Sequence, residues 1–466
     1  MLVFLDLGAL SFFPSFLLSF YLNLSFLSFL IYKMSSIPSA SSASSASSSS
    51  SSSSSGSATP PYSPASSEKA VAAPVTDPAS VLKEYTTFDE MGLSESVLRG
   101  VYAFGFEKPS PIQQKAIVPM IEGHDVLAQA QSGTGKTGAF VIGGISRIDA
   151  ALNEVQMVVI VPTRELADQI TKVASSIGTF MGLRVYTAVG GTPVHEDLAL
   201  LQQGRGRPAH IPHVLVVTPG RFFDLLHRNA VSPSTARVLV LDEADQMLDA
   251  KFLEQIECIL SLGWPSTMQV GLFSATMIPE LADKAKALLN NPVTILLEAA
   301  KVSLDGINQY YVEVEREDQK LETLCDLYDH LSIQQANIFV NTRAKAEWLA
   351  EHMKKRGFDL SFIHGEMDVD ERRRRMDEFR AGKSRVLIST DLLARGIDVH
   401  QVSLVINFEL PIQRENYIHR IGRSGRYGRK GASINLITER ERRAQAEIES
   451  FYGKKVLDLP ADLKIM

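Results

Sequence analysis

The stretch VLAQAQSGTGKTG, residues 126–138, decides the fold of the first half of the chain. A predicted strand from Val126 runs into a glycine-bearing turn, which leads into Lys136, Thr137 and an apolar helical segment. This order predicts a phosphate-binding loop, because backbone N–H groups and the helix N-terminus then face the phosphates. Lys136 would reach the β- and γ-phosphates, and the Thr137 hydroxyl would ligate magnesium. The predicted loop comprises Ser132, Gly133, Thr134, Gly135, Lys136 and Thr137.

A second motif, VLVLDEAD at residues 238–245, supplies carboxylates for the same site. Its apolar residues predict a buried strand, whose end projects Asp242 toward magnesium and Glu243 toward an attacking water. A surface acidic cluster is the alternative, but an apolar strand that leads straight into carboxylates needs a cation or a polar network to balance them. With the upstream phosphate loop, this motif predicts a nucleoside triphosphatase.

The composition of the chain limits the classes of protein to which it can belong. It has 466 residues, of which 45% are hydrophobic, so it can fill several globular cores. The formal net charge is -6, so a polyanion would have to bind in local pockets rather than through bulk charge. Cys258 and Cys325 are far apart and lack metal-ligand spacing, which argues against a disulfide scaffold or a zinc site.

The N-terminal residues 1–33 form a hydrophobic segment, with no charge from Leu7 to Tyr32, that is long enough to span a bilayer. They could be a secretory signal, a signal anchor that tethers the protein to a membrane, or a stretch upstream of a true translation start at Met34. We favour the third interpretation, because nothing later in the chain has a membrane pattern. Residues 34–86, rich in Ser, Ala and Pro, predict a disordered leader, since they have too little apolar surface to offset the entropy of ordering.

Short β-branched segments recur along the chain, and each ends in a turn that enters an amphipathic helical pattern. This repetition predicts an α/β fold with mainly parallel sheets flanked by helices. It occurs in residues 87–298 and again in residues 307–466, so we expect two tandem domains joined by a linker at residues 299–306. Ligands of open parallel sheets bind beyond the carboxyl ends of the strands. The polar motifs of both halves lie at those ends.

A set of ordered motifs resembles those of the DEAD-box RNA helicases. They are GFEKPSPIQ (105–113), AQSGTGKT (130–137), PTREL (162–166), TPGR (218–221), DEAD (242–245), SAT (274–276), ARGID (394–398) and HRIGRSGR (419–426). The resemblance runs from about residue 88 to residue 463 and is closest to the translation initiation factor 4A subfamily. It implies two RecA-like domains, ATP and Mg²⁺ as cofactors, and an RNA-stimulated ATPase.

The resemblance also implies nucleotide contacts beyond the phosphate loop. Gln113 would read the adenine edge, and Phe88 or Phe106 would pack nearby. From residue types alone, the same segment could be only a proline-bearing lead into a helix. Asp398 would meet the ribose.

In the second half, the run HRIGRSGRYGRK from His419 is dense in arginine, which by composition alone could be a solvated face. The resemblance instead implies that Arg423 and Arg426 are arginine fingers, which stabilise charge on the transferring phosphoryl group. It also implies that His419 bridges to the acidic motif. Ser274 and Thr276 have no base motif beside them, so we interpret them as a coupling element, with a strand-ending turn as the alternative.

PTREL and TPGR each place Thr and Pro at a predicted helix start with an arginine close behind. N–H groups, a hydroxyl and a guanidinium could there hold a phosphate, although plain helix capping is the alternative for either motif alone. The resemblance implies a groove for one RNA strand that is held by sugar and phosphate, and is therefore largely independent of sequence. The implied RNA contacts are Pro162, Thr163, Arg164, Gly190, Gly191, Thr218, Pro219, Gly220, Arg221, Thr342, Arg343, Gly365, Arg372 and Thr390.

One residue departs from the pattern of this family. Val369 stands where close relatives usually have Gln, ahead of Arg372, which leaves the RNA contact at this place open. The run ERRRRMDEFR from Glu371 alternates arginines with carboxylates at helical spacing and predicts an intrahelical ion-pair face, so within it we assign only Arg372 to RNA.

Together these inferences predict a helicase that closes two domains on ATP and single-stranded RNA and locally unwinds short duplexes in translation initiation. Helical-repeat scaffold proteins of the translation initiation factor 4G type are the expected partners. The expected location is cytoplasmic, with the nucleus as the alternative. An ATP-gated RNA clamp in exon-junction or ribosomal RNA processing complexes would carry the same motifs and is the alternative function.

Overall fold

A computed structural model describes most of the chain beyond residue 82. The described residues are 83–131, 133–202, 210–249, 251–277, 279–296, 307–331, 333, 335–391, 402–424 and 431–460. The segment 1–33, the linker 299–306 and nearly all of the leader 34–86 lie outside them, so the interpretations of these segments stay predictions. Within the described ranges, no helix combines the length and the apolar character needed to cross a bilayer.

The first domain is built on a seven-stranded sheet in which every described strand pairing is parallel. Its strands are β1 (Val126–Gln129), β2 (Met157–Ile160), β3 (Val185–Ala188), β4 (Val214–Val217), β5 (Val238–Asp242), β6 (Gln269–Ser274) and β7 (Val293–Leu296). They lie in the order β3-β4-β2-β5-β6-β1-β7. The carboxyl ends of β5, β6 and β1 are therefore neighbours, and these are the ends that carry the acidic motif, the SAT motif and the phosphate loop.

Helices connect these strands and cover both faces of the sheet. They are α1 (Glu95–Ala103), α2 (Pro111–Glu122), α3 (Lys136–Ile145), α4 (Arg164–Ile177), α5 (Val194–Leu201), α6 (Pro219–His227), α7 (Ala244–Met247), α8 (Leu253–Leu260) and α9 (Pro279–Leu288). Successive residues of β2 point to opposite faces, so Met157 and Val159 join one buried cluster whereas Val158 and Ile160 join the other. Because both faces of the sheet are buried, its central strands are continuous apolar segments.

The second domain repeats this plan on another sheet whose described pairings are parallel. Its strands are β8 (Ile307–Val314), β9 (Ala336–Phe339), β10 (Leu360–Ile363), β11 (Val386–Ser389), β12 (Leu404–Asn407), β13 (Gly431–Thr438) and β14 (Leu457–Asp458). They lie in the order β10-β11-β9-β12-β13-β8-β14. The described helices are α10 (Lys320–His330), α11 (Arg343–Lys355), α12 (Val369–Arg380), α13 (Glu415–Ile421) and α14 (Arg442–Tyr452).

The predicted α/β fold with two parallel sheets is confirmed. The two sheets also start helices in the same way, because Thr163 caps α4 after β2 and Thr342 caps α11 after β9. Each hydroxyl accepts a backbone N–H from the first turn, from Leu166 in the first case and Lys345 in the second. Corresponding strand ends in the two domains thus present the same kind of helix N-terminus.

Candidate nucleotide and RNA sites

The phosphate loop leaves the end of β1 and enters α3. Gly133 and Gly135 adopt φ angles of 81° and 100°, a left-handed region that glycine reaches without strain. A Cβ on Gly135 would lie 2.7 Å from the Ser110 hydroxyl oxygen, so no side chain can be added there without displacing that neighbour. The Thr134 hydroxyl donates to the Gln131 carbonyl oxygen at 2.7 Å and closes the turn.

Lys136 and Thr137 form the first turn of α3. Lys136 is buried, and its Nζ donates to the Ala130 carbonyl oxygen at 2.6 Å, so the ammonium group is held over the loop itself. Thr137 is partly exposed. Ser132, which we also predicted to belong to the loop, lies outside the described residues.

Gln113 lies against this loop. Its Nε2 donates to the Gly135 carbonyl oxygen at 3.2 Å, and its Oε1 accepts the Ser110 N–H at 2.9 Å. The rings of Phe88 and Phe106 stack with centroids 6.3 Å apart; Phe88 is fully buried, whereas Phe106 is partly exposed. Of these two rings, Phe106 is the one that a base can contact without disturbing the core.

Two carboxylates at the end of β5 lie near the loop lysine. Burial, reinforced by Glu243 and opposed by Lys136, raises the pKa of Asp242 to about 7. Glu243 adopts a left-handed φ of 52°, and its Oε2 is buried without a hydrogen-bond partner among the described residues. Buried carboxyl groups of this kind favour a cation, and the oxygens of Asp242 and Thr137 are the ligands that Mg²⁺ prefers. The residues therefore fit the predicted magnesium ion.

Asp245, the last residue of the DEAD motif, joins three motifs. Its Oδ1 accepts the Ser274 hydroxyl at 3.0 Å, and its Oδ2 accepts the Thr276 hydroxyl at 2.9 Å. His419 comes from the second domain, and its Nε2 lies 3.0 Å from the same Oδ2. Sequence reasoning did not single out Asp245, although its place in the acidic motif was a signal. The predicted coupling residues and His419 therefore meet at one carboxylate.

Arg423 is the described member of the predicted pair of arginine fingers. It is buried, and its Nε donates to the His419 carbonyl oxygen at 3.0 Å. Arg423 is therefore held next to the residue that contacts Asp245 of the first domain. Arg426 and Asp398 lie outside the described residues.

The predicted RNA contacts of the first domain lie together at the ends of β2, β3 and β4. Pro162, Thr163 and Pro219 are buried, Arg164 is partly exposed and Gly220 is exposed. Burial and the nearby Arg372 together hold the pKa of Arg164 below its ordinary value. Because the Arg164 and Arg372 guanidinium groups crowd each other, binding of an anion here would be favourable.

The Gly190–Gly191 backbone runs between the two domains. The Thr218 hydroxyl oxygen accepts the Gly190 N–H at 3.3 Å. Gly191 has a φ of 89°, and a Cβ on it would lie 2.5 Å from Arg164 Nη2 and 2.9 Å from Val369 Cγ2. Only glycine therefore allows the start of α12 to approach so closely, and Val369 is in contact with the predicted RNA groove.

Arg221 and Arg372, both expected to contact RNA, are occupied by protein groups. Arg221 is 8% exposed and pairs with Asp197 of α5. Arg372 is 4% exposed and pairs across the domain boundary with Glu165, its Nε donating at 2.8 Å. Sequence reasoning missed both acidic partners, because Glu165 was hidden inside PTREL and Asp197 carries no motif.

A cleft between α4 and α12 surrounds the Arg372–Glu165 ion pair. Its lining residues are Arg164, Glu165, Asp168, Val369, Arg372, Arg373, Met376 and Arg380. Arg373 Nη2 lies 3.5 Å from Asp168 Oδ2 and adds a second, more exposed ion pair between the domains. Along α12, the exposed Arg374 and the partly buried Arg375 pair with Glu371, which agrees with the predicted intrahelical ion pairs.

The remaining candidate RNA residues lie at strand ends of the second domain. Thr342 caps α11, and the exposed Arg343 pairs with Glu347 and Glu366. Gly365 follows β10, and a Cβ there would meet open space. Thr390 follows β11 and is partly exposed. Of these residues, Thr342, Arg343 and Gly365 are exposed at the carboxyl ends of the strands.

Comparisons with known proteins match both domains of the chain. The family model described as DEAD/DEAH box helicase matches residues 110–284, and the helicase conserved C-terminal domain matches residues 319–428. Eukaryotic initiation factor 4A of Zea mays is 52% identical over 377 residues, which cover 81% of this chain and 90% of that relative.

Two solved structures cover both domains. S. cerevisiae Dbp5 bound to RNA and ADP BeF3 matches with a TM-score of 0.74 and 34% identity over 81% of this chain and 96% of that one. Mss116p bound to ssRNA and AMP-PNP matches with a TM-score of 0.71 and 27% identity over 81% of this chain and 80% of that one. With its motifs, its two RecA-like domains and these relatives, the chain belongs to the DEAD-box family of ATP-dependent RNA helicases.

Proposed function

We propose that this helicase closes its two domains on ATP and single-stranded RNA, and that closure locally separates short duplexes during translation initiation. The observation that carries the proposal is the approach of His419 Nε2 to Asp245 Oδ2, at 3.0 Å across the two domains. A buried pair that joins the two domains supports a closed arrangement. The match over both domains to a relative bound to RNA and ADP BeF3 supports the same arrangement.

The first domain would bind the nucleotide. Backbone N–H groups of the loop and the N-terminus of α3 would face the phosphates, and Lys136 would exchange its carbonyl partner for phosphate oxygens. Gln113 and Phe106 would hold the adenine. Thr137 and Asp242 would hold Mg²⁺, partly through water, and the ion would neutralise charge on the phosphates when bound.

Glu243 is the candidate that orients the attacking water. Its buried Oε2, which has no hydrogen-bond partner within the described ranges, supports this role, because such an oxygen can accept a hydrogen bond from a water molecule without giving up another contact. Arg423 and Arg426 would approach the γ-phosphate from the second domain and stabilise its developing charge, a role worth about 10³ to 10⁵ in rate in other nucleoside triphosphatases. Neither domain alone should therefore hydrolyse ATP efficiently.

RNA would lie across both domains on the side of α4 and α12. Helix N-termini at Thr163 and Thr342, the Gly190–Gly191 backbone and Arg164 would hold its phosphates and sugars. Contacts of this kind do not read bases, so binding would be largely independent of sequence. A backbone path imposed by the closed domains would bend one strand and strip a few base pairs from a short duplex.

Asp245 would couple the two events. It receives hydroxyls from β6 and the loop after it, and it meets His419 from the second domain. Hydrolysis and phosphate release would disturb this junction and reopen the cleft. Scaffold proteins of the translation initiation factor 4G type would assist closure. The helicase would act in the cytoplasm. Its two domains would extend over residues 87–298 and 307–466.

Steady-state ATP hydrolysis by the full chain, with and without single-stranded RNA, tests the proposal alongside separation of a short labelled duplex. We expect RNA to stimulate hydrolysis and ATP to drive strand separation. A rate of ATP hydrolysis that is the same with and without RNA would contradict the proposed RNA site. Prolonged ATP-dependent retention of RNA without separation would favour the clamp instead.

A further inference from the structure

A buried polar network lies beneath the Gly190–Gly191 segment. It joins Tyr186 on β3, Asp197 in the first turn of α5 and Arg221 in the first turn of α6. The Tyr186 hydroxyl donates to Asp197 Oδ1 at 2.7 Å, and Arg221 Nη1 donates to Asp197 Oδ2. Asp197 is only 2% exposed. The burial of Tyr186 itself, followed by its hydrogen bond to the Asp197 carboxylate, raises the pKa of Tyr186. Both oxygens of this carboxylate are therefore engaged by neighbouring elements.

Arg221 also holds the loop that contains Gly190 and Gly191. Its Nη1 donates to the Thr192 hydroxyl oxygen at 3.2 Å, and its Nη2 donates to the Thr192 carbonyl oxygen at 2.6 Å. The Thr192 hydroxyl in turn donates to the Val189 carbonyl oxygen at 2.9 Å. One guanidinium thus holds both the side chain and the backbone of Thr192, and with them the turn that contains both glycines.

Thr218 fixes the opposite end of the turn by accepting the Gly190 N–H at 3.3 Å. Thr218 and Arg221 belong to the same motif, so the start of α6 holds the two-glycine turn at both ends. Glycine loses more freedom on ordering than any other residue, and an anchor on each side is what keeps such a turn in one conformation.

We infer that Asp197 and Tyr186 are positioning residues for RNA binding: Asp197 orients Arg221, and Arg221 holds the Gly190–Gly191 backbone where it meets the RNA strand. This inference rests on the proposed RNA groove. It gives Arg221 a different task from the direct phosphate contact that the sequence predicted, because the donors that it shows are used on Asp197 and Thr192.

The test is Asp197→Asn in the full chain, with ATP hydrolysis measured against single-stranded RNA concentration. The amide keeps the shape of the side chain and removes the charge that orients Arg221. We expect the KM for RNA to rise about tenfold, with kcat and the KM for ATP changed less than about twofold. Tyr186→Phe should move the same constant in the same direction by less. Asp224→Asn on α6, which removes a solvated ion pair with Arg228 just after this helix, is the matched control.

Salt dependence separates positioning from direct contact. For Arg221→Gln, a lost phosphate contact would flatten the plot of log K for RNA against log salt by about 0.7. A positioning role predicts weaker RNA binding with an unchanged slope. A flattened slope overturns the inference, and so does an Asp197→Asn variant whose KM for RNA equals that of the parent.

Arg164→Ala distinguishes this failure from failure of the proposed groove. If Arg164→Ala raises the KM for RNA and Asp197→Asn does not, the groove stands and the positioning role is wrong. If neither changes it, the groove itself is misplaced. Thermal unfolding of each variant reports folding, and if Asp197→Asn does not fold, the KM of Tyr186→Phe decides.

Discussion

His419 of the second domain lies 3.0 Å from Asp245 of the first, measured from Nε2 to Oδ2, and the histidine is fully buried there. The same carboxylate receives hydroxyls from Ser274 and Thr276. A single carboxylate therefore contacts the second domain and the end of β6. In the proposed closure, this carboxylate would link the movement of the second domain to the nucleotide site.

His419→Ala should uncouple RNA from hydrolysis. The substitution keeps the Ser274 and Thr276 hydroxyls on Asp245 and removes the imidazole of His419 from it. We expect RNA-stimulated kcat to fall by about tenfold to a hundredfold, while the KM for ATP changes little. His330→Ala, an exposed histidine at the end of α10, should behave like the parent. A His419→Ala variant that RNA still stimulates fully would show that coupling runs elsewhere.

Glu243→Gln should bind ATP and RNA but not turn over. The amide is isosteric, so the loop and β5 keep their shape, but it is a poor acceptor for a proton from water. General-base contributions suggest a loss of about 10² to 10⁴ in kcat. Single-turnover hydrolysis and RNA binding by fluorescence anisotropy measure the two properties separately. Unaltered turnover would remove Glu243 from its proposed role, and Glu254→Gln in the first turn of α8 controls for the loss of a surface carboxylate.

The Arg372–Glu165 pair should stabilise the closed arrangement. Removing one partner of a buried pair leaves the other charge uncompensated, and the buried Arg372 guanidinium donates from Nε and Nη2 to Glu165 Oε1. Glu165→Gln should therefore lower ATP-dependent closure, measured by energy transfer between dyes placed on the two domains. We expect roughly a tenfold higher ATP or RNA requirement.

A double-mutant cycle sharpens this test. Glu165→Gln and Arg372→Gln combined should cost less than the sum of the single changes, because the pair acts as a unit. Arg374→Gln on the exposed face of the same helix is the control, since its ion pairs with Glu371 and Glu378 are solvated. Additive effects would mean that the two side chains act independently, as they would if Arg372 bound RNA.

Asp242 should make stability depend on pH. Its pKa is raised from an ordinary value of 3.8 to about 7 by burial and by Glu243. Between about pH 4 and pH 7, the folded protein keeps a proton that the unfolded chain has lost, so the free energy of unfolding falls as pH rises through this window. Asp242→Asn removes this dependence.

The variant should accordingly be more stable than the parent near pH 8 and close to it near pH 4. Thermal unfolding without nucleotide or Mg²⁺ measures the difference at each pH. A difference in stability between the variant and the parent that is the same at pH 4 and at pH 8 would contradict the raised pKa of Asp242. Asp224→Asn, which changes a partly exposed carboxylate on α6, should show little change with pH.

Local patterns predicted much of this protein, because a strand, a glycine turn and a helix start are properties of short segments. VLAQAQSGTGKTG predicted β1, the loop and α3, and the acidic motif predicted a buried strand that ends in carboxylates; all are present. The resemblance named the two RecA-like domains and the family. Phe88 and Phe106 were left as alternatives by the sequence, and only burial distinguished them.

The sequence by itself thus determined which residues form the predicted phosphate loop and in which order the strands and helices occur. Only the tertiary structure decided how the arginines are used. Arg221 meets a carboxylate 24 positions away, and Arg372 meets one 207 positions away in the other domain. The physical reason is that a buried guanidinium must be paired with whatever carboxylate the packing brings to it, and packing joins elements that no local pattern connects.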